Sequence, residues 1–401
     1  MFEPYSDWAI LSIFVVIYSL VGGRIRRTWI SDAMVFVFMG LLLGPFGLGM
    51  LQFDVTSENL KTVTELTLAL ILFNDAANAN TKVLKQSLRL PWRLLALGLP
   101  LTILLGFALS TLLFPQFSPV EAGLLAVMLA PTDAALGKAV VSNPKIPDNI
   151  REDLNIESGL NDGICVPLLF ALLAITTGEN LERSPLELVA ILFTEEIGIG
   201  LLVGVSFAVI TNQLREFFIA RNWIEHHWQP VMAIALALGC FSTAQHFGGS
   251  GFIACFVGGL MFGIILKRGK EELLIASEAV GDNLSLITWV AFGSSLVMLA
   301  VRQQTWQTFL YAVLSLTVIR MLPVFLVLFG MELDKWTKLL VGWFGPRGLA
   351  SVVFAVFIFD AKLPHSSEIV IIAITTIMLS ILAHGLTANP LVNLYGKWIN
   401  K

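Results

Sequence analysis

Apolar stretches long enough to cross a lipid bilayer recur from one end of this 401-residue chain to the other, and no loop between them exceeds about two dozen residues. A hydrocarbon core about 30 Å thick takes about 20 helical residues, and within it every backbone N–H and C=O needs an internal partner. Apolar windows of that size recur along the whole chain. They fall at roughly 7–22, 33–51, 62–77, 91–114, 119–141, 156–178, 187–212, 226–244, 249–267, 282–301, 306–331, 337–360 and 367–389. The fold class is therefore an all-α polytopic membrane protein with about thirteen transmembrane helices. Composition agrees: 56% of residues are hydrophobic and 13% charged, against about 25% charged in soluble domains.

No Pro/Ser-rich linker divides the chain, so a single transmembrane domain over 1–401 is expected, with no soluble catalytic module and no cofactor implied. The net charge of −4 is small and says nothing about nucleic acid, and no basic tract or stacking motif argues for it, so no nucleic-acid partner is expected. Cys165, Cys240 and Cys255 lie in apolar runs without metal-ligand spacing and read as packing residues. Glu3 and Asp7 precede the first run where a secretory signal would carry bases, so that run is expected to be an uncleaved span.

Charge alternates between loops. Arg24, Arg26, Arg27, Lys82, Lys85, Arg89, Arg93, Lys145, Arg151, Lys267, Arg268 and Lys270 fall on one side, and only Lys61, Arg183, Arg302 and Lys362 on the other. The positive-inside rule makes the first side cytoplasmic, with the N-terminus outside and the C-terminus inside. An inverted-repeat plan, common where membrane helices surround a midplane site, would pair a first repeat at about 7–178 with a second at about 226–389 across a linker helix at about 187–212. Spans 5 and 12 then correspond, and both are interrupted: "LAPTDAALG" carries Pro131, Thr132 and Asp133, and "GWFGPRGLAS" carries Gly345, Pro346, Arg347 and Gly348. Proline removes an N–H and clashes with the preceding turn, so polar backbone is freed at both places.

An ionised side chain at membrane depth costs at least about 2.5–3.5 kcal/mol and calls for a partner or a task. In "ESGLNDG", Glu157 and Asn161 stand at i and i+4, as do Ser158 and Asp162, so the four form one helical patch. Glu157 is the natural partner of Arg320 in "LTVIRMLPVF", which leaves Asp162 without a fixed counter-charge. Desolvation disfavours a bare carboxylate there, so it binds a proton or a cation. Asp133 reads either as a site ligand or as a cap beside the proline, and Arg347 either as a loop brace or as part of an ion pathway. Glu65, Glu195 and Glu196 lack polar company and read as interfacial or packing residues, and the histidines, His384 included, read as mostly interfacial.

"PTDAALG", "ESGLNDGI", "GSGFIACFVGGLMFG" and "GWFGPRGLAS" together resemble the monovalent cation/proton antiporters of the electroneutral Asn-Asp branch, the bacterial and archaeal sodium/proton exchanger type, over nearly the whole chain. The resemblance implies crossed broken helices at spans 5 and 12 and a core bundle moving against a dimerisation domain. It implies a homodimer in a prokaryotic-type inner membrane, in contact with membrane lipid. Na+ or Li+ would be exchanged for H+, with K+ the alternative ion. It makes Asp162 the exchanged-ion carboxylate, with Asp133, Ser158 and the Thr132 backbone as further ligands and Asn161, Glu157 and Arg320 holding the assembly in shape. The sequence departs from many members in having Gly159 where they carry a bulkier apolar residue, and it ends about a dozen residues after its last span, without the long cytosolic tail of the animal relatives. A cation channel and an intramembrane aspartyl protease with Asp133 and Asp162 as its dyad are the readings from other classes; the sequence lacks the Gly-x-Gly-Asp context of the latter.

Overall fold

The computed structural model describes residues 4–399 except 26–27, 29, 52, 54–57, 80–88, 134–135, 137, 142, 178–184 and 267–268. Among the expected cytoplasmic bases, Arg26, Arg27, Lys82, Lys85, Lys267 and Arg268 lie outside the described residues, as does Arg183 of the opposite side. The described chain is helical throughout. In order come α1 (Pro4–Ile25), α2 (Asp32–Leu43), α3 (Glu58–Asn78), α4 (Arg89–Leu113), α5 (Pro119–Met128), the single turn α6 (Lys138–Val141), α7 (Asp148–Thr177) and α8 (Pro185–Ile219). They are followed by α9 (Gln229–His246), α10 (Gly251–Ile265), α11 (Lys270–Arg302), α12 (Trp306–Val327), α13 (Lys335–Trp343), α14 (Leu349–Asp360) and α15 (Ser366–Ile399). Each expected span meets one of these helices or a broken pair; seven of them are long and apolar enough to cross a membrane by length and composition.

Short polar residues set where helices begin. Ser31, Ser250 and Asp334 accept backbone N–H groups at the starts of α2, α10 and α13, and Ser118 with Glu121 forms a reciprocal capping box at α5. Interior irregularities are π-turns at Leu94–Gly98 in α4 and Phe292–Leu296 in α11 and a break at Thr317 in α12.

Helices α2, α3, α9, α10 and α11 pack on one another, and α4 to α7 pack with α12 to α15; α3 and α10 touch α7, and α3 also touches α14. Helices α3 and α10 approach closely. A Cβ on Gly259 would lie 2.2 Å from the Phe73 carbonyl oxygen and one on Gly263 2.2 Å from that of Ala77, so this Gly-x-x-x-Gly pair lets the two backbones touch. Helices α1 and α8 lie at the margin, each burying only 17% of its apolar window inside the chain.

The two ends of the bundle differ. Lys145 Nζ donates to Asn393 Oδ1 at 2.5 Å and Asn389 Nδ2 to the Thr28 carbonyl at 2.9 Å, which gathers basic loops around the C-terminal end of α15. At the other end Lys61 pairs with Asp360 at 2.8 Å and Gln116 with Glu368 at 2.9 Å.

Candidate functional site

Two extended segments meet in the middle of the bundle. Residues 129–133 follow α5 and residues 344–348 separate α13 from α14; only their ends keep helix-type backbone bonds, such as Leu129 N–H to the Leu125 carbonyl and Phe344 N–H to that of Leu340. Each segment satisfies the other. Asp133 N–H donates to the Pro346 carbonyl at 2.8 Å, and Ser351 Oγ donates to the Met128 carbonyl at 2.8 Å. Arg347 Nη1 donates to the carbonyls of Ala130 and Pro131 at 2.9 and 3.1 Å, while Nε and Nη2 find no hydrogen-bond partner among the described residues. Asp133 takes the Leu349 N–H on Oδ2 at 2.9 Å and the Leu136 N–H on Oδ1 at 3.2 Å.

Electrostatics explains why an acid and a base stand at these breaks. A helix carries partial positive charge at its N-terminus and partial negative charge at its C-terminus. Arg347 sits against the carbonyl end of α5, and Asp133 against the N–H end of α14. Each break thus supplies the counter-charge for the helix end exposed by the other. The Arg347 side chain is fully buried and is absent from the lining of the cleft.

Helix α7 closes the site from below. Asn161 uses both halves of its amide on Thr132: Nδ2 donates to Oγ1 at 2.8 Å and Oδ1 accepts the Thr132 N–H at 3.3 Å. Ser158 Oγ donates to the Thr132 carbonyl at 2.5 Å. Asp162 lies one turn further along the same face, 8% exposed, and its Oδ1 has no hydrogen-bond partner among the described residues. Glu157 points the other way. Both its oxygens meet Arg320, Oε1 with Nη1 at 2.6 Å and Oε2 with Nη2 at 3.0 Å, in a buried fork. The four-residue patch expected from spacing is therefore two features, a site face of Ser158, Asn161 and Asp162 and a structural ion pair.

A cleft of about 400 Å³ reaches the site face, with Asp133, Ser158 and Asp162 at its base and Asp75 of α3, Asp282 of α11 and Asp32 of α2 along its walls. Among the described residues, five carboxylates and no basic residue line it. Its lining includes Gly22, Gly23 and Asp32, near the end of the bundle where Asn389 meets Thr28.

The structure brings Thr132, Asp133, Ser158, Asn161 and Asp162 together as one site, pairs Glu157 with Arg320, and places Arg347 at the crossing. Gly159 has its explanation in Phe256 of α10, whose ring edge lies 3.0 Å from where a Cβ would stand, so a large residue on one helix fills the space left on the other. The histidine reading needs one correction. His384 is 1% exposed, because Ser380 on its own helix and the end of α13 give its ring polar company inside the bundle. Sequence reasoning missed Asp75, although an acid inside an expected span is the signal that singled out Asp162. Ser380 and His384 offered no such signal.

Comparison with known proteins extends the geometry. The family described as sodium/hydrogen exchanger, transmembrane, matches residues 10–394. A K(+)/H(+) antiporter, NhaP, of Alkalimonas amylolytica is 24% identical over 389 residues, 95% of this chain and 65% of the relative. A probable Na(+)/H(+) antiporter of Schizosaccharomyces pombe is 23% identical over 87% of this chain and 48% of its own length. The chain thus spans just under two thirds of the length of the first of these relatives and about half of the second. In fold it is similar to the sodium proton antiporter MjNhaP1 from Methanocaldococcus jannaschii at pH 8, with a TM-score of 0.79 and 22% identity over 96% of this chain and 100% of that one.

Proposed function

The chain belongs to the sodium/hydrogen exchanger family, and on that premise we propose that it exchanges Na+ or Li+ for H+ across a membrane by alternating access, one proton for one cation. The observation that carries this reading is the placing of Asp162, whose Oδ1, without a hydrogen-bond partner among the described residues, lies in a cleft whose charged lining residues there are all acidic, beside Ser158 and the Thr132 carbonyl. A carboxylate so placed neutralises its charge with either a proton or a cation, and the two compete.

The acidic walls, with Asp75, Asp282 and Asp32, raise the local concentration of cations, and the backbone dipoles at the crossing hold Asp133 ionised beside the site. Oxygen ligands from Asp162, Asp133, Ser158 and Thr132 replace water around the ion. Loaded with a proton or a cation, the site crosses; an empty ionised Asp162 does not, because it would carry an uncompensated charge through low dielectric. That asymmetry couples the two fluxes.

In this proposal α4 to α7 and α12 to α15 form the moving core, and α1 to α3 with α8 to α11 form the scaffold. The marginal apolar faces of α1 and α8 meet lipid and a second copy in a homodimer. The thirteen crossings form two inverted repeats, and the cleft opens to the cytoplasm, on the side of the basic loops. Potassium is the second reading for the cation, favoured by the name of the Alkalimonas relative. Proton flux in proteoliposomes challenged in turn with sodium, lithium and potassium tests the proposal. Flux driven by sodium or lithium supports it, flux with potassium alone moves the ion assignment, and flux with none overturns it.

A further inference from the structure

The extended segment at 344–348 is held from behind by α15. Arg347 N–H donates to Ser380 Oγ at 2.7 Å, Ser380 Oγ lies 3.2 Å from His384 Nδ1, and His384 Nε2 lies 2.9 Å from the Trp343 carbonyl oxygen. All three polar side-chain positions are buried, with Ser380 0% and His384 1% exposed. Proton positions follow from the acceptors. A carbonyl oxygen can only accept, so Nε2 carries a proton. In the neutral ring Nδ1 then bears a lone pair, 3.0 Å from the Ser380 carbonyl. The Ser380 hydroxyl is the donor in reach of that lone pair, and with its proton turned to Nδ1 its oxygen is left to accept Arg347 N–H. One chain of hydrogen bonds therefore runs from the end of α13 through His384 and Ser380 to Arg347. Arg347 continues it across the break to the carbonyls of Ala130 and Pro131, next to Thr132.

We propose that Ser380 and His384 are positioning residues for the cation site: they fix residues 344–348, and through Arg347 they set the position of the Thr132 carbonyl and of Asp133. Neither touches the cleft, so they act through the register of the crossed segments and not on the ion. Trp343 and Phe344 pack against the ring, at 5.1 and 6.2 Å between centroids and tilted by 34° and 59°. Trp343 is itself tied to α15 through Nε1 and Thr387 Oγ1 at 3.0 Å. A buried serine and histidine four residues apart on a helix can satisfy themselves locally; here both are turned toward the broken helix.

The inference rests on the proposed exchange, and the test separates the two. Apparent KM and kcat for the driving cation are measured in proteoliposomes for wild type, Ser380→Ala, Ser380→Thr, His384→Phe, His384→Gln and the Ser380→Ala/His384→Phe double variant, with melting temperature recorded for each. Absence of exchange by wild type overturns the functional reading itself. With wild type active, Ser380→Ala and His384→Phe are each expected to raise KM about fivefold, as one hydrogen bond contributes, with kcat changed less. Ser380→Thr restores the hydroxyl and is expected to recover most of the loss. His384→Gln keeps a donor for Trp343 and is expected to fall between wild type and His384→Phe. The double variant is expected to be no worse than the poorer single, since both break one chain. If a variant does not fold, its conservative partner carries the measurement. Wild-type KM in the folded Ser380→Ala and His384→Phe proteins, or a loss of folded protein with unchanged KM in what remains, overturns the proposal.

Discussion

Leu349, the first residue of α14, gives its N–H to Asp133 Oδ2 at 2.9 Å, so the start of one broken helix is capped by a carboxylate from the other. Gly348 makes that approach possible: a Cβ there would lie 1.8 Å from the same oxygen.

Gly348→Ala is therefore expected to force the two breaks apart and to abolish exchange even where the protein still assembles. Asp133→Ala leaves two buried N–H groups without acceptors, at about 1–3 kcal/mol each. Asp133→Asn keeps one acceptor and is expected to be milder, raising the apparent KM for the cation. Transport assays beside thermal melting of all three variants check this. Equal damage from Asn and Ala would show that the charge of Asp133, and not its acceptor geometry, is what counts.

Asp162→Asn is expected to end exchange with folding intact, because an amide cannot alternate between a proton and a cation. The substitution removes an oxygen that has no hydrogen-bond partner among the described residues, so no internal contact of that atom is lost. The check is cation-driven proton flux together with the melting curve. Appreciable flux in this variant would remove Asp162 from the centre of the mechanism.

Glu157→Gln strands Arg320 in the bundle, and losing one partner of a buried pair costs about 3–5 kcal/mol. Replacing both by neutral residues of similar volume is expected to recover part of the melting temperature. A double variant as unstable as the sum of the singles would mean that the fork seen here carries no coupling energy.

Most of this geometry was legible in the sequence because membrane depth penalises a few residue types heavily. Pro131 and the Gly345–Pro346–Gly348 run announced the two breaks, since neither can continue a helix without freeing backbone. Glu157 and Arg320 announced each other, as charges in spans with no nearer counter-charge. The rule was underused at Asp75, which met the same criterion. Ser380 and His384 were illegible for a different reason. Hydroxyl and imidazole groups are cheap within a helix, where the preceding turn offers a carbonyl, so nothing in the order of residues says that the end of α13 comes to them. The exchange of bulk between Gly159 and Phe256 is hidden likewise, as a contact between helices distant in sequence.

That contact predicts compensation. Gly159→Leu is expected to destabilise the α7–α10 contact, since overpacking a filled site costs about 1–3 kcal/mol. Adding Phe256→Ala is expected to restore part of the melting temperature and transport. Indifference of Gly159→Leu to the size of residue 256 would show that the ring yields by another route.

Asn161 bears on stoichiometry. Its amide gives a proton to Thr132 Oγ1 and takes one from Thr132 N–H, which an ionised carboxylate cannot do on both sides. It also cannot titrate, so the site face of α7 has a single acid, Asp162, while Asp133 accepts two backbone N–H groups, an arrangement that favours its anion. On the proposed exchange, one proton is expected to leave for each cation bound and the cycle to move no net charge. A potential of 100 mV is worth about 2.3 kcal/mol per charge moved, about fiftyfold in an ion ratio. In tight vesicles clamped at that potential, the wild-type equilibrium ratio of cation to proton gradients is expected to stay where it stands at zero potential. Asn161→Asp is expected to weaken the hold on Thr132 and, by adding a second titrating acid, to make the ratio respond to voltage. A voltage-dependent ratio in wild type would mean that a second proton travels, and Asp133 would be the group that carries it.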